Sequence, residues 1–152
     1  MWKKIKPYII SIVVALLVGA AGSIFVKGSM EEYNALVKPA GVPPSWVFGV
    51  VWSILFILMG ISSAIIYQKN GGGKALTVYA VQLVMNFIWN IIFFSMQNYL
   101  AAFLWLILLW AAVAYMIYLF SKISRIAALL QIPYLLWLTF AGYLNIMIYI
   151  LN

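Results

Sequence analysis

The 152-residue chain contains no cysteine and no histidine, and its only acidic side chains are the neighbours Glu31 and Glu32. Without cysteine there are no disulfides, thiolate nucleophiles, zinc–thiolate sites or iron–sulfur clusters. Without histidine the commonest general base and metal ligand is missing. Two adjacent glutamates leave little for carboxylate chemistry or for a cation held by oxygen ligands, so no metal site is expected. Neither a P-loop nor a GxGxxG fingerprint occurs. These absences argue against a conventional hydrolase, kinase or dehydrogenase. Charge is scarce as well: 7% of residues are charged and 68% are hydrophobic, whereas about a quarter of a soluble domain is charged. The net charge of +7 does not indicate nucleic acid, because the basic residues lie scattered between apolar runs and form no dense patch.

What is present is a set of long uncharged runs. Tyr8 to Val26 is uncharged for 19 residues, Ser45 to Gln68 for 24 and Ala75 to Ser121 for 47. The last is too long for one crossing, at about 1.5 Å per residue through about 30 Å of hydrocarbon. The polar triplet Met96-Gln97-Asn98 is its natural hairpin. A final run, Ile126 to Leu151, contains Pro133, which should loosen the helix locally. None of the runs shows the period-2 alternation of barrel strands. The expectation is an all-α membrane protein, a single five-transmembrane-helix bundle over residues 1–152, with spans near 5–26, 45–68, 75–96, 99–120 and 125–150.

The connectors fit this division. Lys69-Asn70-Gly71-Gly72-Gly73-Lys74 reads as a flexible turn. Lys27 to Pro44, with Pro39, Pro43 and Pro44, reads as a structured loop outside the bilayer, with the second span starting at Pro44-Ser45. Lys3, Lys4, Lys6, Lys69, Lys74, Lys122 and Arg125 fall on one side, and only Lys27 and Lys38 on the other. By the positive-inside rule the N-terminus is cytoplasmic, with the long loop and the C-terminus outside. The first span also has the outline of a cleaved signal peptide, but its 19 uncharged residues exceed the usual core of about 7–15.

Helical periodicity collects particular residues on faces. Gln82, Asn86 and Asn90 recur every four residues in the third span, with Trp89 and Phe93 on the same side. Gly49, Trp52, Phe56 and Ser63 share a face of the second span, and Tyr134, Trp137, Ala141 and Asn145 one of the fifth. Lipid-exposed amides are costly, so these faces should turn inward and form an aromatic pocket with a few polar donors. The same amides also suit interhelical hydrogen bonds. Trp2 and Trp46 have the position of interfacial belt residues, whereas Trp52 and Trp137 lie deeper. Ala15, Gly19 and Ser23 form a small-residue stripe on the first span, suited either to packing within the monomer or to a dimer interface.

Several segments resemble a known family. Tyr33-Asn34-Ala35-Leu36-Val37-Lys38-Pro39 and Pro43-Pro44-Ser45-Trp46-Val47-Phe48-Gly49-Val50-Val51-Trp52 are followed by Asn86-Phe87-Ile88-Trp89 with Phe93-Phe94. Pro133-Tyr134-Leu135-Leu136-Trp137 and Leu144-Asn145 complete the set. In this order and spacing they resemble the TspO/MBR family, the tryptophan-rich sensory proteins that include the mitochondrial translocator protein. The resemblance implies a five-helix bundle, usually a homodimer, in a membrane that for bacterial members is the cell membrane. It implies a pocket beneath the loop between the first two spans that takes porphyrins such as protoporphyrin IX, haem and other tetrapyrroles.

The site residues expected from the faces and the resemblance together are Tyr33, Pro43, Trp52, Phe56, Asn86, Trp89, Asn90, Phe93, Trp137 and Ala141. Trp52 and Trp137 would also take part in light-dependent porphyrin breakdown. No obligatory cofactor is expected, the porphyrin being ligand or substrate; the partners are that porphyrin or another lipophilic small molecule, membrane lipid and a second copy of the chain, with no nucleic acid. The chain departs from the family pattern at Glu32, where the family has tryptophan before Tyr33, at Gly41, which replaces a loop tryptophan, and at Trp105, where aspartate is frequent. Two function classes follow: a receptor or sensor for a tetrapyrrole, and a carrier of tetrapyrroles or other lipophilic solutes. An ion-coupled pump is disfavoured by the lack of a buried charge pair or proton relay.

Overall fold

The computed structural model describes residues Met1–Asn152. The chain forms α1 (Trp2–Gly28), α2 (Met30–Asn34), α3 (Ser45–Asn70), α4 (Lys74–Asn90), a π-helical turn (Ile91–Ser95), α5 (Tyr99–Ser121), α6 (Arg125–Leu130) and α7 (Ile132–Leu151), with no strands. Five segments are long and apolar enough to cross a bilayer: Trp2–Gly28, Ser45–Asn70, Lys74–Ser95, Tyr99–Ser121 and Arg125–Leu151. The five-helix membrane bundle expected from the spacing of charges is the architecture found.

Each break has a local cause. Gly71, Gly72 and Gly73 all adopt positive φ (70°, 139° and 79°), a region that glycine enters without steric cost. At the second hairpin Gln97 takes φ 52°, and the Asn98 side chain accepts a hydrogen bond from Ala101 N at 3.1 Å, capping α5. The third span does not stay α-helical to Met96. It widens into the π turn, with Met96 N donating to Ile91 O at 2.9 Å.

In the fifth span Ser124 caps α6 by accepting from Ala127 N at 3.3 Å. The helix then breaks at Gln131 and restarts with Pro133 in the first turn of α7. Pro133 has no N–H to offer the carbonyl one turn earlier, and its ring crowds the residues before it, so the interruption falls ahead of the proline.

α1 packs chiefly on α3, and α5 on α4 and α7. The interior contains Met59, Leu109, Met116, Phe120, Tyr134 and Leu138, all essentially inaccessible. The outer surface is just as apolar, with Leu17, Ile24, Val84, Leu108 and Leu136 exposed. Hydrocarbon on both sides removes the polar outer face that water would require. Trp2 and Trp46 are exposed at opposite ends of the bundle, as interfacial tryptophans are.

Close approach of α1 and α3 depends on glycine. A Cβ on Gly60 would lie 2.5 Å from Ile12 Cα, and one on Gly19 would lie 2.7 Å from the Phe56 ring. Ala15 is fully buried. Ala15 and Gly19 of the small-residue stripe therefore pack against neighbours inside the monomer. Chain direction gathers Lys3, Lys4, Lys6, Lys69, Lys74, Lys122 and Arg125 at one end of the bundle, leaving Lys27 and Lys38 at the other.

Gly60→Ala is expected to destabilise the bundle by about 1–3 kcal/mol, because its new methyl meets backbone that cannot give way. Gly142→Ala, whose Cβ would have only Leu106 Cδ2 at 3.8 Å, should be neutral or stabilise by up to about 1 kcal/mol through helix propensity. Thermal unfolding in one detergent checks both; equal midpoints for the two variants would refute the close-approach account.

Candidate functional site

The end of the bundle away from the basic cluster encloses a cavity of about 590 Å³, within the range of about 300–1,000 Å³ common for small-molecule sites. Its walls come from the later half of α1, the first half of α3, the end of α4 with its π turn, and α7. The helix α2 and the ends of α1 and α3 form its roof, through Val26, Lys27, Met30, Tyr33 and Ser45.

Nine of the ten sequence-expected site residues line this cavity: Tyr33, Trp52, Phe56, Asn86, Trp89, Asn90, Phe93, Trp137 and Ala141. Pro43 does not. It sits half-buried in the loop two residues before α3, where its role is to direct the chain into the helix, and Ser45 is the residue of that stretch on the wall. The expected faces converge, but not over their full length. Gly49, Trp52 and Phe56 reach the cavity whereas Ser63 lies deeper on α3; Trp137, Ala141 and Asn145 reach it whereas Tyr134 and Gln82 lie beyond the wall.

Those deeper groups are tied to each other. Asn86 Nδ2 donates to the Tyr134 hydroxyl at 2.8 Å, and that hydroxyl donates to Gln82 Oε1 at 2.7 Å. All three are buried. The chain joins α4 to α7 at the cavity floor. A second tie runs higher: Trp89 Nε1 donates to Asn145 Oδ1 at 3.1 Å, and Asn145 Nδ2 donates to Tyr99 O at 2.8 Å. Asn86 and Asn145 are thus interhelical connectors that also face the ligand space.

Aromatic rings dominate the rest. Trp89 stacks on Phe93 at 5.0 Å, Phe93 meets Phe94 edge-on at 4.8 Å, and Tyr33 approaches Phe94 at 5.8 Å from the roof. On the opposite side Trp52 lies 5.8 Å from Phe56 and 6.2 Å from Tyr134, and Phe48 meets Trp137 edge-on at 5.8 Å. Burial pushes the Tyr33 phenol above the ordinary tyrosine range, so it stays neutral at physiological pH.

One donor on the wall is unmatched. The indole N–H groups of Trp89, Trp105 and Trp110 donate to Asn145 Oδ1, Met85 O and Thr139 Oγ1. The indole nitrogen of Trp137 is buried with no hydrogen-bond partner. An unmet buried donor costs about 1–3 kcal/mol. That nitrogen has essentially no accessible surface, so it is closed to the cavity as well.

Sequence reasoning missed the α1 wall, made by Leu16, Gly19, Ala20 and Ser23, and also Met30 at the roof. The signal for the first was present: small residues leave room for a cavity as readily as for a helix. Phe48 and Phe94, noted only within family segments, are lining residues in their own right. Of the two cations at this end, Lys38 Nζ is engaged with the loop, donating to Asn34 O and Leu36 O at 3.3 Å and lying 4.9 Å from the Tyr33 ring centroid. Lys27 is exposed at the cavity rim with no such contacts. At the two departures from the family pattern that fall in and beside the loop, Glu32 is exposed on α2, and Gly41 adopts φ +88° with open space around it.

A transmembrane five-helix bundle with an aromatic cavity under the loop joining its first two spans defines a class of helical membrane protein. The chain belongs to the TspO/MBR family, whose model matches residues 11–151. It is 40% identical to the tryptophan-rich protein TspO of Chlorobaculum tepidum, over 100% of this chain and 99% of that protein. It is 38% identical to protein CrtK of Rhodobacter capsulatus, over 88% of this chain and 85% of that one. The human translocator protein is 38% identical over 82% of this chain and 77% of its own length.

Tyr134→Phe removes both hydrogen bonds of the floor and leaves two buried amides without that partner. Loss of about 1–2 kcal/mol is expected, read as a lower thermal midpoint in detergent. An unchanged midpoint would mean that the ring's packing, rather than its hydroxyl, holds α4 to α7.

Proposed function

We propose that the protein is a membrane receptor or sensor that binds porphyrins, such as protoporphyrin IX, haem and related tetrapyrroles, in the aromatic cavity and promotes their light-dependent degradation. The observation that carries this reading is the large aromatic cavity itself, with Trp52, Trp89, Phe93 and Trp137 on its walls. A flat, conjugated molecule matches such a wall in shape and in stacking surface. In this reading Trp52 and Trp137 stack on the ligand and take part in its photochemistry. The light-absorbing porphyrin supplies the chemistry, and the protein supplies position and exclusion of water. No obligatory cofactor is required.

Lys27 is the cation placed to meet a porphyrin carboxylate at the rim, since Lys38 is already occupied. The bias of basic residues toward one end supports a cytoplasmic N-terminus, with the roof and C-terminus outside, in a bacterial cell membrane. The working unit is a homodimer, as the family resemblance implies.

A carrier is the second reading, and one observation favours it. Trp137 also borders a shallow groove on the outside of the α3–α7 seam, with Val51, Ile54, Leu55, Pro133 and Leu136. One side chain thus separates the cavity from a surface that faces lipid, a short path for a lipophilic solute. The name translocator, carried by the human relative, agrees with this reading.

Titration with protoporphyrin IX in the dark, followed by tryptophan fluorescence and then by illumination, tests both. Saturable quenching is expected, with Trp137→Ala weakening binding about five- to tenfold through lost stacking surface. Protein- and light-dependent decay of the porphyrin spectrum supports degradation; binding without decay supports carriage or sensing; no saturable quenching refutes the porphyrin reading. Lys27→Gln is expected to weaken a dicarboxylic porphyrin more than its dimethyl ester, and equal weakening would exclude the carboxylate contact.

A further inference from the structure

The roof of the cavity is attached to the far end of the chain by a contact that no family motif marks. Asn152 lies one residue beyond α7. Its side-chain oxygen accepts from Val37 N at 3.0 Å, and its side-chain nitrogen donates to Val37 O at 2.9 Å. The same nitrogen donates to Ile148 O at 2.8 Å, on the last turn of α7. One amide thereby meets both backbone groups of a single loop residue while anchored to a cavity-lining helix. A second bond parallels it, from the Tyr143 hydroxyl to Ala40 O at 3.2 Å.

The position of Val37 gives this clasp its leverage. The preceding residue, Leu36, packs with Tyr33 on the cluster of Phe93, Ala102 and Ile148. The following residue, Lys38, covers the Tyr33 ring and bonds the carbonyls of Asn34 and Leu36. Residues 33–38 are therefore internally locked and move together. Tyr33 is the part of that unit that lines the cavity. Between α2 and α3 the loop carries no other side-chain hydrogen bond to the bundle than those from Asn152 and Tyr143.

We infer that Asn152 is a latch: it holds the 33–38 unit down over the cavity mouth and so sets how fast the cavity exchanges its ligand. The latch concerns access and not affinity, because Asn152 touches the roof from outside and lines no part of the cavity. Breaking it should raise association and dissociation rates together and leave the dissociation constant nearly unchanged. The exchange role rests on the porphyrin reading above; the clasp itself does not.

The test uses the full chain in lipid nanodiscs. In the ligand-free protein, hydrogen exchange of residues 35–40 is expected to rise about five- to tenfold in Asn152→Ala, the loss for one or two exposed hydrogen bonds. Asn152→Asp keeps an acceptor for Val37 N but sets a carboxylate oxygen against the carbonyls of Val37 and Ile148 that the amide nitrogen bonds, so its rise should be at least as large. The thermal midpoint, reporting the bundle, should not move in either variant. Unchanged exchange at residues 35–40 would overturn the latch. With protoporphyrin IX bound, stopped-flow release should accelerate by a similar factor in Asn152→Ala; faster roof exchange with unaltered release would overturn the gating role. If the wild-type protein binds no protoporphyrin IX, the porphyrin reading falls alone and the exchange result still decides the latch.

Discussion

Hydrocarbon offers no hydrogen-bond partner, so every polar group that enters the bundle must be met by another part of the same chain. Helices satisfy the backbone, and most buried polar side chains are matched across helices, with Tyr79, Gln131 and Trp137 the exceptions. The Asn86–Tyr134–Gln82 and Trp89–Asn145–Tyr99 chains bind α4, α7 and α5 to one another. Trp105 to Met85 O and Trp110 to Thr139 repeat those ties, and Ser62 to Ala127 O joins α3 to α6. α1 is held differently. Its cross-helix hydrogen bond, from Gln68 to Lys4 O, lies at the basic end, and within the membrane it is held by the contact of Ile12 with Gly60 and of Gly19 with Phe56. The bundle is thus a hydrogen-bonded frame of α4, α5 and α7 beside a sterically fitted pair of α1 and α3, and the cavity lies between the two.

This division shapes what the cavity can recognise. Most amides and indoles around it are already committed to the frame, so the wall offers rings and few free donors. In the porphyrin reading, selectivity comes from shape and stacking, with Lys27 at the rim. A wall with many unmet donors would be costly whenever the cavity held no ligand. One unmet indole is a tolerable cost, about 1–3 kcal/mol by the usual measure of a buried donor.

The architecture was legible because charge in a bilayer is so expensive that its spacing marks the spans. The inward faces of α3, α4 and α7 were legible for a related reason: amides and deep tryptophans at helical spacing cannot all face lipid. What periodicity cannot supply is a partner or a depth. Gln82 and Asn86 share a face, yet Asn86 reaches the cavity and Gln82 ends at Tyr134 beneath it. The α1 wall was hidden because glycine, alanine and serine suit close packing and open space equally. Phe94 joins Phe93 on the cavity where the helix widens into its π turn, and no residue pattern announced that turn.

The roof shows the same physics applied outside the hydrocarbon. The family resemblance leads one to expect a loop held by aromatic contacts, but two of those positions carry Glu32 and Gly41. Glu32 is exposed, and Gly41 uses φ +88°, a backbone state that a tryptophan would rarely adopt. The loop therefore does not follow the aromatic path with two rings deleted; it follows a path that tryptophan at position 41 would strain. Its hold comes from Tyr33 and Leu36 on the Phe93 cluster and from the Asn152 and Tyr143 bonds to the backbone of Val37 and Ala40. Outside the hydrocarbon, water competes for such bonds, and each contributes less than its counterpart in the bundle interior. A roof fastened this way opens at lower cost than the helices separate, which permits exchange at the mouth without loosening the frame below.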